Sequence, residues 1–88
     1  MATAREVAAW MLEEFERGDG SLYQPDAAAE IEKRFGRKFI YRNYSGGTSI
    51  DMKVLKAFRR LTEPGVVWHR RELTWRRREA RDHPGRIA

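Results

Sequence analysis

Fourteen consecutive residues, VVWHRRELTWRRRE from Val66 to Glu79, hold two tryptophans and five arginines. Guanidinium groups take phosphate oxygens in pairs and indole rings pack, so this composition fits either a basic finger for a nucleic acid or a solvated hairpin closing a small fold. A second set of cations, Lys53, Lys56 and Arg60, recurs at spacings of three and four, which gathers all three on one face of a helix. Catalysis finds less to stand on. The histidines, His69 and His83, make no recognised zinc-ligand spacing with Asp82, and there is no cysteine to supply a thiolate. Ser21, Ser45, Thr48, Ser49, Thr62 and Thr74 fall in expected loops, caps or strand ends, where a hydroxyl serves local structure. Gly46-Gly47-Thr48 lacks the rest of a G-x-x-x-x-G-K-[ST] phosphate cradle and reads as a hairpin turn. The expectation is a binding protein with no cofactor, no metal and no reaction of its own.

The elements that must position these cations follow from periodicity. Thr3-Ala4-Arg5-Glu6 is a T-x-x-E capping box, and Val7, Ala8, Met11, Leu12 and Phe15 follow at helical spacing before Gly18, which predicts a helix over about 4–17. Trp10 lies off that stripe, beside Glu6, Glu13 and Arg17. It either packs against the hairpin tryptophans or stands exposed for a partner, which would imply a dimer or another protein interface. After a loop, GDGSLYQ, Pro25 and Asp26 favour the start of a second helix over about 25–35, with Ala27, Ala28, Ile31 and Phe35 inward and Gly36 ending it. KFIYRNY, Lys38 to Tyr44, alternates and is β-rich, a short strand before Gly46-Gly47. Thr48-Ser49-Ile50-Asp51 reads as another capping box for a third helix over about 50–62, whose stripe is Ile50, Val54, Leu55, Phe58 and Leu61. Lys53, Lys56 and Arg60 then stand opposite the stripe, flanked by Met52, Ala57 and Arg59. Glu63-Pro64-Gly65 turns the chain into a hairpin of residues 66–70 and 74–78, and a loop of Arg70 to Leu73 would set Trp68 opposite Trp75.

The whole chain of 88 residues, 41% hydrophobic, suffices for one core. Residues 1–79 are expected to form one domain and residues 80–88 a flexible or loosely docked basic tail. The net charge of +5 is uneven: residues 1–20 carry −3, while residues 21–65 and 66–88 carry +4 each. Such a field draws phosphate backbones or acidic proteins without choosing between them. No apolar run approaches the roughly 18 residues that span a membrane, and the lack of cysteine suits a reducing cytoplasm, so a soluble cytoplasmic protein is expected.

Helix, helix, strand, helix, strand, strand from Thr3 to Arg78 resembles the winged helix-turn-helix fold, carried by SLYQPDAAAEIEKRFG, TSIDMKVLKAFRRLT and the VVWHRRELTWRRR hairpin. The same residues resemble an uncharacterised family of short bacterial proteins that begin with an REVA-W-MLEE helix and carry a VVW…W-R-RE ending. The resemblance implies an α+β, winged-helix-like three-helix core with a C-terminal β-hairpin, in which the third helix and the hairpin wing meet DNA. The departure is the segment from Gly36 to Thr48, far longer than the turn of a simple helix-turn-helix. The first functional reading is a module contacting nucleic acid mainly through phosphates, by Lys53, Lys56 and Arg60 of the third helix and Arg70, Arg71, Arg76 and Arg78 of the wing. Base reading is not expected, because the first turn of that helix offers Asp51, Met52 and Lys53 in place of Arg, Asn or Gln. The alternative is a protein-interaction adaptor on the same fold, using Trp10 and the hairpin face toward an acidic partner.

Overall fold

Thr3 starts the first helix as its T-x-x-E pattern predicts: the Glu6 N–H donates to Thr3 Oγ1 at 3.2 Å, and α1 runs Ala4–Arg17. The computed structural model describes residues 2–80 and residue 82. Strand β1 (Ser21–Tyr23) leads directly into α2 (Gln24–Phe35), which has proline in its first turn and ends at Gly36, whose φ of 97° suits glycine. A 3-10 turn, Arg37–Phe39, precedes β2 (Ile40–Arg42), which pairs antiparallel with β3 (Thr48–Ile50). Helix α3 (Met52–Thr62) follows, then β4 (Val66–His69) and β5 (Thr74–Arg77).

The class is α+β, as expected: the described residues form three α-helices, the small β2–β3 hairpin and a three-stranded sheet in the order β1-β5-β4. The C-terminal hairpin forms with the expected four-residue loop and with Trp68 opposite Trp75. That loop lacks glycine, and Leu73 takes the left-handed conformation instead, at φ 51°. Local bonds hold it there. The Glu72 N–H donates to His69 Nδ1, the Thr74 hydroxyl donates to the Glu72 carbonyl, and the Leu73 carbonyl accepts the Gln24 N–H at 2.8 Å. His69 thus has a structural use in the turn.

Four local expectations need correction. The supposed loop before α2 contains β1, a strand of three residues that is too short to show alternation but pairs in full with β5. The expected strand over Lys38 to Tyr44 shrinks to three residues, its start being taken by the 3-10 turn that buries Phe39. Thr48 to Asp51 is no capping box, because Thr48, Ser49 and Ile50 pair with β2; Asp51 itself is the cap, accepting the Lys53 N–H at 3.0 Å. Leu61 is 49% exposed, and Thr62 occupies the buried end of the stripe. A threonine can be there because its hydroxyl donates to the Phe58 carbonyl at 2.7 Å, leaving no orphan polar atom inside.

The core lies where α1 packs against α3 and the sheet covers them. Val7, Met11 and Phe15 of α1, Ala28 and Ile31 of α2, Val54 and Phe58 of α3, and Ile50 and Trp75 from the strands are all buried. Trp75 meets the Phe58 ring edge-on, 5.2 Å between centroids, so the C-terminal hairpin is fastened to the centre of the domain through its second tryptophan.

Candidate nucleic-acid interface

The Asp51 cap fixes the first turn of α3, and burial of Val54 and Phe58 fixes the helix's rotation. Together they turn Lys53, Lys56 and Arg60 outward. All three are exposed and form no ion pair with a described residue. Arg59, between them, is held by Glu63 one turn on. At the β4–β5 loop Arg70 and Arg71 are likewise exposed and unpaired among the described residues.

The remaining wing arginines have other occupations. Arg76 grips Asp82 with both terminal nitrogens, Nη1 to Oδ2 at 3.0 Å and Nη2 to Oδ1 at 2.9 Å. Arg78 donates from Nε to the Pro64 carbonyl at 2.6 Å, and its N–H goes to the Gly65 carbonyl, so it ties the strand end to the turn after α3. Arg77 is exposed: it donates to the Asp19 carbonyl and stands over the Phe15 ring. Of the seven cations expected to meet phosphate, five therefore present free charge and two are engaged in the fold.

Asp82 is the one described residue of the expected tail beyond Ala80; His83 and the rest of residues 83–88 lie outside the described residues. The Arg76 guanidinium, and then the Glu79 N–H, hold the Asp82 carboxyl well below the usual carboxylate range, and Asp82 in turn raises Arg76. A depressed carboxyl gives stability that is complete above its unfolded value near 3.9 and is lost as pH falls below it toward the depressed value. Thermal melts of wild type and Asp82→Asn should differ by a constant amount between about pH 5 and 8, and the two should converge only in strong acid. Curves that coincide at neutral pH would show that the Arg76–Asp82 clasp contributes nothing to the fold.

Trp10 does not pack against the hairpin tryptophans. Its ring packs edge-on against Phe35 at 5.9 Å and carries the Arg34 guanidinium at 5.6 Å, so it is half-buried between α1 and α2 and away from the hairpin tryptophans. As a partner-binding residue it offers an edge, not a free ring.

A groove of about 480 Å³ opens beside Lys56 of α3, walled by both hairpins. Met52, Leu55, Lys56 and Arg59 come from α3, Tyr41, Ser49 and Ile50 from the β2–β3 hairpin, Trp68 and Trp75 from the wing, and Gln24 from the start of α2. Tyr41 is 51% and Met52 59% exposed, while the Trp68 ring tilts against Trp75 at 4.8 Å. Among the described residues no carboxylate lines this space. The sequence signal for it is slight: Met52 sits at the edge of the cationic face, and Tyr41 alternates in a short strand that carries no local sign of its partner. Among the described residues no group of three or more His, Asp or Glu is placed to hold a metal ion, and no helix is long and apolar enough to cross a membrane.

Comparison with known proteins returns a family described as one of unknown function (DUF6953), matched over residues 3–77. No curated protein and no solved structure matches the chain.

Proposed function

The chain belongs to that family, which has no activity to lend it, and from its own surface we propose a small winged-helix-like module that contacts nucleic acid mainly through phosphates. The observation that carries this reading is the set of five uncompensated cations, Lys53, Lys56 and Arg60 along α3 and Arg70 and Arg71 at the wing tip. Long cations without carboxylate partners release condensed counterions when they meet a phosphate backbone, and that release drives binding without regard to sequence. The order α1-β1-α2-α3-β4-β5, with β1 closing on β5 beside the wing, supports the winged-helix reading. The β2–β3 hairpin inserted before α3 is the departure from it. Sequence reading is weak for a chemical reason: the exposed first turn of α3 offers a methionine and a lysine, and Arg59, which could have read guanine, is paired with Glu63.

One observation favours the adaptor reading. The groove beside α3 is largely apolar, and an acidic protein surface would satisfy the same cations. A salt titration separates the two. Affinity for DNA should fall as a power of salt concentration, and Arg70→Ser with Arg71→Ser should lower that power by about two while changing stability by less than about 0.5 kcal/mol. Binding that ignores salt, or that survives the double substitution with its slope intact, sinks the phosphate reading at the wing.

A further inference from the structure

Phosphate contact leaves the groove unused, although the groove opens directly beside Lys56. Resting on the nucleic-acid reading above, we propose that this groove takes unpaired bases, so that the preferred partner is a single-stranded nucleic acid. Its phosphates lie along Lys53, Lys56 and Arg60 while its bases stack on Tyr41 and Trp68.

Three observations select this occupant. Among the described residues the lining has no carboxylate and one uncompensated cation, Lys56, Arg59 being paired with Glu63, so the groove favours an anionic ligand. The Tyr41 ring is half-exposed because its cross-strand neighbour is Ser49, too small to cover it, and Trp68 closes the far wall. An exposed ring with a part-buried one beside it and a cation at the rim is an arrangement on which bases stack without sequence preference. Finally, Gln24 faces the same space, and its side-chain amide has no hydrogen-bond partner among the described residues. The donor and acceptor edge of a base can satisfy both halves of that amide at once. A duplex cannot use the site, because its bases are already stacked on one another.

The test compares a fluorescently labelled mixed-sequence oligonucleotide, single-stranded and as a duplex of equal length, in the same buffer. The single strand should bind about tenfold tighter or better and quench tryptophan emission, as stacking on one or two rings implies. Tyr41→Ala should remove about tenfold from single-strand affinity, leave duplex affinity and the salt slope unchanged, and keep the wild-type melting temperature; Tyr41→Phe should bind like wild type. Equal affinity for the two forms, or an unaffected Tyr41→Ala protein, overturns the base site while the phosphate reading stands. Salt-dependent binding to neither form overturns both, and a synthetic acidic amphipathic peptide that then quenches tryptophan emission, and loses that effect in Tyr41→Ala, assigns the groove to a protein partner.

Discussion

Phe58→Ala should unfold this domain at or near room temperature. Phe58 is wholly buried at the α1–α3 contact and receives the edge of Trp75, so truncation removes a ring from the point where helices and wing meet. Phenylalanine-to-alanine changes at such sites cost about 3–5 kcal/mol, of the same order as the whole stability of a domain this small. At about 4–8 °C per kcal/mol the midpoint falls by at least about 12 °C. Leu61→Ala provides the contrast, with an expected change within about 0.5 kcal/mol, because Leu61 stands half in water. Paired thermal melts decide it: similar losses in the two variants would mean that the stripe read from periodicity, and not the rotation of α3 described above, forms the core.

The second large effect is on binding. Lys53→Glu combined with Lys56→Glu removes two cations and adds two anions at the face proposed to track phosphates. Two fewer released counterions reduce the salt exponent by about two, equivalent to roughly 50-fold weaker binding near 0.1 M salt before repulsion is added. Stability should hold or rise slightly, since both side chains are exposed and glutamate in the first turn of a helix suits its dipole by about 0.3–1 kcal/mol. The two readouts therefore move independently. Unchanged affinity in a well-folded double variant would take α3 out of the interface.

How much of this was legible in the sequence depends on how far each feature reaches along the chain. Helix α1 could be read almost to the residue, because the cap, the stripe and the terminating glycine are all local. The wing register followed from the loop length and two tryptophans. Strand β1 could not be read, since three residues carry no period and its partner lies in the last strand of the fold. Thr48 to Asp51 misled for the opposite reason: a good local cap pattern was overridden by pairing with β2, and the cap moved to Asp51. Thr62 displaced Leu61 from the interior because a hydroxyl satisfied by its own helix is nearly as easily buried as a methyl. At the interface the exposed cations were legible and their occupations were not. Arg76, Arg77 and Arg78 look alike in the chain, yet only contacts with Asp82, Asp19 and Pro64 distinguish a clasp, a brace and a turn tie.

The strand that emerges last is also the middle strand of the sheet. Ser21 must find Arg76 and Leu22 must find Trp75, so the pairing that seats the sheet on the helices closes most of the chain into one loop. Until that loop closes, Phe58 has no edge-on partner, because Trp75 reaches it only from a strand held between β1 and β4. Closing the long loop and completing the core are therefore one event: a variant that weakens the β1–β5 pairing uncovers Phe58 as surely as one that removes Trp75.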